Sequence, residues 1–288
     1  MGRPNKISLK TRGVLGRQIN TGHLTSLRDA QRFIQERNGV HVDVKTVRRN
    51  LRQQKIRAYV QQKRPDLKRN HMQERLAFAR EHIKWTVDDW KRVMLSNESV
   101  ISRVGSFGRN YFYSDRGHRR LLPHQVHPMP QDGGGKMMVW GCITFFGAGD
   151  LCRINGTLDS EFYREVLNDY VLASFEWYGM GRATSIFQQD NARVHTAGLI
   201  QNWFREHDVT VLKWPSNSPD LNPIEHVWAY IKRRLFRYKQ PPKDINQLWK
   251  RIEKIWRNIP SKLLRKLYES MPRRMRALLQ SRGGAIKY

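Results

Sequence analysis

Trp214-Pro215-Ser216-Asn217-Ser218-Pro219-Asp220-Leu221-Asn222-Pro223-Ile224-Glu225-His226-Val227-Trp228 is the stretch whose reading decides the fold. It starts as the tail of an apolar strand, breaks at two prolines, and then opens an amphipathic helix. Pro223 suits a first helical position, where a missing N–H is no loss, and Asn222 is placed to cap. Ile224, Val227, Trp228, Ile231 and Leu235 recur at helical spacing, so this helix buries one face. Glu225 sits in the first turn, one step off that stripe. It reads either as the closing acid of a capping box or as a carboxylate held rigidly for chemistry.

Upstream, Thr184-Ser185-Ile186-Phe187-Gln188-Gln189-Asp190 reads as a buried strand ending in a carboxylate, followed by Asn191-Ala192-Arg193-Val194-His195. An acid at a strand tip and another at a helix start are how rigid elements hold metal-binding carboxylates. Magnesium takes carboxylate oxygens, and paired ions serve in-line displacement at phosphorus. Thirty-four residues lie between Asp190 and Glu225. His195 reads as a metal or phosphate neighbour, or as a histidine that simply caps or packs.

The segments Gln189-Asp190-Asn191…His195-Thr196 and Trp214 to Trp228 closely resemble those of the mariner superfamily of DNA transposases. So do the glycine box Gly133-Gly134-Gly135-Lys136-Met137-Met138-Val139-Trp140-Gly141 and the ending Ser270-Met271-Pro272-Arg273-Arg274…Gly283-Gly284…Lys287-Tyr288. The likeness runs from about Gly2 to Tyr288. It implies a cut-and-paste enzyme with an α/β ribonuclease-H-like core, a mixed sheet with flanking helices, and an Asp, Asp, Glu metal triad. In the branch resembled, 34 residues separate the second Asp from the Glu. The resemblance carries catalytic and metal-binding roles onto Asp190 and Glu225, with Mg2+ or Mn2+ as the cofactor, in two ions.

The first acidic position departs from that pattern. The early strand reads Val93-Met94-Leu95-Ser96-Asn97-Glu98-Ser99, with Asn97 where the family has Asp. An amide brings a neutral carbonyl oxygen and an N–H₂ donor where a two-metal site wants a bridging anion. Asn97 therefore marks the third catalytic and metal position and is expected to cripple cleavage. Glu98 is not expected to substitute, because adjacent strand residues point to opposite faces.

Charge is partitioned along the chain. The formal total is +28. Residues 1–86 carry 21 Lys+Arg against 6 Asp+Glu, residues 87–225 carry 14 against 16, and residues 226–288 carry 18 against 3. Basic arms flanking a nearly neutral centre indicate a polyanionic partner, best matched by nucleic acid, with generic solubilising charge as the alternative. Cys142 and Cys152 lack metal-like spacing, so a reduced, intracellular protein is expected. No apolar run reaches the ~18 residues of a membrane span, and Met1-Gly2-Arg3-Pro4 begins no signal peptide. Lys136 follows glycines without Walker spacing, so nucleotide binding is not expected.

Gly2-Arg3-Pro4 with Lys6 resembles the family's short basic arm, of the kind that places Arg in a narrow minor groove. In full-length members a first helix-turn-helix precedes that arm, and this chain is expected to lack it. Three helices follow, over about Ser8–Asn20, Ser26–Asn38 and from a cap at Asp43. The third turns Val44, Val47 and Leu51 inward and Lys45, Thr46, Arg48, Arg49 and Arg52 outward, a helix-turn-helix pattern facing a major groove or simply a solvated face. Asp66 is read as the cap of a helix to about Trp85. Strands are expected over Arg92–Ser96, Val100–Val104, Asn110–Tyr113, Lys136–Phe146 and Leu151–Ile154. A helix over Ser160–Trp177, the Asp190 strand, a helix over Thr196–His207, a strand over Val209–Trp214 and basic helices at 224–238, 244–258 and 261–281 complete the chain.

The expected organisation is a minor-groove arm over 1–6, a small all-α helix-turn-helix domain over 7–60, a helical linker over 61–90, and the catalytic domain over 91–288. The expected function is a nuclear DNA transposase that binds terminal inverted repeats and target DNA, as a homodimer or larger assembly. The rival is a catalytically inactive DNA-binding protein descended from a transposase. A nuclease of the same fold is the third reading.

Overall fold

Serine and aspartate side chains open the first three helices by accepting otherwise orphaned backbone N–H groups. In the computed structural model, which describes residues 7–21, 23–24, 26–56, 67–103, 135–238 and 240–287, the chain divides into two units, Met1–Lys63 and Arg64–Tyr288. The first contains α1 (Leu9–Asn20), α2 (Leu27–Asn38) and α3 (Val44–Gln53). Ser8 caps α1, Ser26 and Asp29 form a capping box on α2, and Asp43 caps α3. Gly39 ends α2 with φ 64°, a left-handed turn that only glycine adopts without strain. Leu15, Ala30, Ile34, Val47 and Leu51 form the core of this unit, with Ile7 and Val42. Arg3, Lys6 and the strand expected at Asn110–Tyr113 lie outside the described residues, as do Asp66 and the first two glycines of the box.

The second unit opens with α4 (Arg69–His82) and a short α5 (Val87–Lys91). The described part of the expected linker is thus largely helix, beginning after Lys68, whose N–H donates to His71 Nδ1 at 3.3 Å. Five strands follow: β1 (Val93–Ser102), β2 (Lys136–Ile143), β3 (Ala148–Ile154), β4 (Ile186–Gln188) and β5 (Thr210–Val211). Their order is β3-β2-β1-β4-β5, antiparallel on the β2 side of β1 and parallel on the β4 side. The two early strands expected from sequence are one. Asn97, Glu98 and Ser99 read as an interruption, but they pair with Gly141, Trp140 and Val139, and ladder bonds depend on the backbone rather than the side chains.

The helix expected over Ser160–Trp177 is α6 (Ser160–Val166), a π-helical turn (Leu167–Val171) and α7 (Leu172–Trp177). Then come α8 (Gly198–Glu206), α9 (Ile224–Phe236), α10 (Ile245–Arg257), α11 (Ser261–Glu269) and α12 (Met271–Gln280). The last two break an expected single helix at Ser270. Pro272 has no N–H to give to Tyr268 O, which interrupts the ladder, and the Ser270 hydroxyl turns back to donate to Leu267 O.

Alternation along β1 builds a core on each side of the sheet. Val93, Leu95 and Ile101 meet Trp228, Ile231, Leu248, Ile252 and Tyr268 from α9, α10 and α11. Met94 faces the other way, joining Trp140, Tyr163, Phe175, Phe187 and Trp203. The mixed sheet with helices on both faces is the α/β core expected. Gly141 of the glycine box lies directly opposite Asn97 in the ladder. A Cβ there would stand 2.7 Å from Trp256 and 3.1 Å from Trp228, two indoles stacked 5.2 Å apart. Its smallness, rather than backbone freedom, seats α9 and α10 on the sheet.

Candidate active site

Three distant segments meet in one cleft of about 380 Å³, lined by Asn97, Asp190 and Glu225 together with Asn191 and the 214–219 turn. β1 and β4 are parallel neighbours, so the side of Asn97 and the end of β4 fall beside each other. Alternation turns Asn97 toward the face covered by α9, and Glu225 is in that helix's first turn. Asn97 Nδ2 donates to Glu225 Oε1 at 2.9 Å. The capping-box reading of Glu225 is not what the structure shows, since its carboxylate meets Asn97 instead. Asn222 does serve the helix start: its Oδ1 accepts from Ile224 N at 3.2 Å, and its amide donates to Ser96 O at 3.0 Å.

Asp190 lies two residues beyond β4. Its Oδ1 accepts from Ala192 N at 2.9 Å and from His195 Nδ1 at 2.7 Å. The histidine hydrogen bond holds the Asp190 carboxyl below its ordinary range. Burial pushes Glu225 the other way, above its ordinary range, with Lys232 and the Asn97 amide opposing the shift. The two carboxylates therefore sit in unlike environments. Among the described residues no three or more His, Cys, Asp or Glu side chains are grouped to hold a metal. The donor set at the cleft is two carboxylates and one amide. It suits a hard cation at Asp190 and Glu225, while Asn97 offers at most a neutral oxygen.

His195 is the neighbour that sequence left open between ligand and packing. It is 3 % exposed and salt-bridged to the acid itself. Its Nε2 stands 3.4 Å from Glu98 Oε1. Burial alone pulls the imidazolium down, but hydrogen bonding and charge from Asp190 and Glu98 outweigh it and raise the group to about 9. The Tyr163 ring lies against it, tilted by 35° with centroids 4.2 Å apart.

Arg75 is a residue that sequence reading did not single out. It is fully buried and grips Asp220 through both guanidinium nitrogens at 2.7 Å, with further bonds to Ser218 Oγ and to the carbonyls of Gly283 and Gly284. Ile286 N donates to Asp220 at 2.8 Å. α4 and the chain's last turn thus clamp the loop that delivers Glu225. Gly283, at φ 80°, permits the approach; a Cβ there would meet Met72 O at 2.0 Å.

In the other unit, Lys45, Arg48, Arg49 and Arg52 are exposed on α3 and Thr46 is half-buried, while Val47 and Leu51 face inward as expected. Among the described residues none of these cations is ion-paired.

Both parts of the chain match known families. The DDE superfamily endonuclease family matches residues 109–249, and a transposase helix-turn-helix family matches residues 16–84. The transposable element Tc1 transposase of Caenorhabditis elegans is 36% identical over 262 residues, covering 90% of this chain and 93% of the relative. The Tcb1 transposase of Caenorhabditis briggsae is 35% identical, covering 85% and 88%. Among solved structures, the Mos1 mariner paired end complex with Mn superposes with a TM-score of 0.80 at 19% identity, over 100% of this chain and 82% of that one. The catalytic domain of Mos1 mariner transposase gives 0.61 at 16% identity, covering 78% and 100%.

Proposed function

We propose that this chain, which belongs to the Tc1/mariner-type transposases with a helix-turn-helix domain and a DDE core, binds the terminal inverted repeats of its element and acts on them by metal-dependent strand cleavage and strand transfer. The observation that carries this reading is the meeting of Asn97, Asp190 and Glu225 in one cleft from positions far apart in sequence. The α3 cations Lys45, Arg48, Arg49 and Arg52, with Thr46, form the major-groove face, and Arg3 and Lys6 the minor-groove arm. Two ends must be handled together, which calls for a homodimer or larger assembly on DNA. The same reading carries a nuclear location as an expectation, because the relatives are transposases of nematodes, whose chromosomes lie in the nucleus.

Asp190 and Glu225 would hold Mg2+ or Mn2+, the ions that accompany the Mos1 complexes, and a pair of them would suit in-line displacement at phosphorus. Divalent ions bound there would lower the pKa of water or a 3′-hydroxyl and would neutralise charge on the leaving oxygen. The chain's own residues set the geometry. His195 fixes one oxygen of Asp190, α9 presents Glu225, and the 214–219 turn walls the cleft. Asn97 does not fit a bridging role: its N–H₂ points at Glu225, where an anion is needed. The same contact favours the second reading, a DNA-binding protein with a disabled centre.

Cleavage of end-labelled inverted-repeat DNA with Mg2+ or Mn2+ separates the readings. The chain as it stands is expected to cut little, and its Asn97→Asp form to cut well. If both bind the repeat and neither cuts, the DNA-binding reading replaces the enzymatic one.

A further inference from the structure

Glu98 and His195 are 97 positions apart in sequence, yet both have a buried polar atom aimed at the other. Glu98 Oε1 and His195 Nε2 are both buried and face each other at 3.4 Å, and neither has any other polar partner among the described residues. On its other side His195 Nδ1 donates to Asp190 Oδ1 at 2.7 Å. Each ring nitrogen thus faces a carboxylate oxygen, Nδ1 that of Asp190 and Nε2 that of Glu98. The ring is packed on one side and its backbone is tied. Tyr163 lies against it at 4.2 Å, and Gln189 ties the Tyr163 hydroxyl at 2.8 Å to the His195 carbonyl at 3.0 Å. Asp190 Oδ2 accepts no hydrogen bond among the described residues, while Ala192 N and His195 occupy Oδ1.

We propose that Glu98 and His195 are a positioning pair for Asp190, fixing one carboxylate oxygen so that the other is presented to a divalent cation in the cleft. The proposal rests on the metal-binding reading of Asp190 given above. Strand alternation is what makes it possible. Asn97 enters the cleft on one face of β1, so Glu98 lies on the opposite face and reaches Asp190 only through the histidine. A carboxylate ligand held in one rotamer loses less freedom on binding a cation, and such outer partners are worth about 10–100-fold in metal affinity. Glu98 is thus neither a substitute ligand nor a bystander.

The test is Mn2+ affinity of the full chain, measured by electron paramagnetic resonance of the free ion, with far-ultraviolet circular dichroism and the thermal midpoint as controls of folding. Asp190→Asn should abolish the binding. His195→Ala should weaken it about tenfold. His195→Asn, whose amide nitrogen takes the place of Nδ1, should restore most of the loss. Glu98→Gln should weaken binding severalfold alone and add little to His195→Ala, because the two act in series. If His195→Ala, His195→Asn and Glu98→Gln all leave affinity within twofold of the parent while Asp190→Asn abolishes it, the pair does not position the acid. Full additivity of Glu98→Gln and His195→Ala would also overturn it. If Asp190→Asn leaves the affinity unchanged, the metal-binding reading fails and this inference falls with it.

Discussion

At the residue scale, the cleft is governed by single side chains whose charge is set by what surrounds them. His195 is raised to about 9 from an ordinary 6.5, so its protonated form stabilises the fold. That contribution is complete below pH 6.5 and is lost as pH rises through about 9, a loss of up to roughly 3 kcal/mol. Urea unfolding in metal-free buffer at closely spaced pH values should show stability falling across that window. The fall should be absent in His195→Asn; an identical slope in that variant would assign the titration to another group. Asn97 and Asp190 were legible from sequence because each sits in a recognisable run. Glu98 was read correctly as facing away from the cleft, but its partner lay too far along the chain to be inferred.

The elements are held by contacts that their own sequences do not announce. α4 reads locally as a connecting helix, but its Arg75 is buried against Asp220. Removing one partner of such a pair leaves a charge without compensation. Arg75→Met should therefore cost about 3–5 kcal/mol, and pairing it with Asp220→Leu should recover a good part. Equilibrium denaturation of the single and double variants decides it. If Arg75→Met costs under about 1 kcal/mol, the clamp is not a stabilising feature. Gly141 presents the opposite problem, a site where nothing larger fits. Gly141→Ala should cost about 1–3 kcal/mol by forcing Trp228 and Trp256 off the sheet, visible as a change in tryptophan fluorescence as well as in the midpoint. Helix starts at Ser8, Ser26 and Asp43 were readable because caps are local chemistry. The single strand β1 was not, because its continuity comes from pairing with β2.

At the scale of the whole molecule, charge is sorted by segment, with basic stretches at 1–86 and 226–288 on either side of a nearly neutral middle. The first 86 residues hold 21 basic against 6 acidic side chains, whereas the segment carrying the cleft is close to neutral. Affinity for duplex DNA should therefore fall steeply with salt. Replacing Arg48 and Arg49 by alanine should reduce the slope of log affinity against log salt by about 2, if both meet phosphates. Fluorescence anisotropy on an inverted-repeat duplex and on an unrelated duplex reads this directly. A slope unchanged by the double variant would move the DNA-binding face away from α3. The α3 core residues Val47 and Leu51 lie on the other side of the helix, so the variant should keep its helical content.

The sequence by itself determined the family motifs, the partition of charge, the three capped helices and the identity of the residues at the cleft. All of these are written in short stretches, where spacing, capping and composition act between neighbours. Only the tertiary structure decided that Asn97 hydrogen-bonds Glu225, that His195 joins Asp190 to Glu98, and that Arg75 locks the loop before α9. Asn97 and Glu225 are 128 positions apart and Arg75 and Asp220 are 145 apart. Local pattern fixes which face a side chain takes. Which distant group meets it there is set by the order of strands in the sheet and by the helices packed on either side.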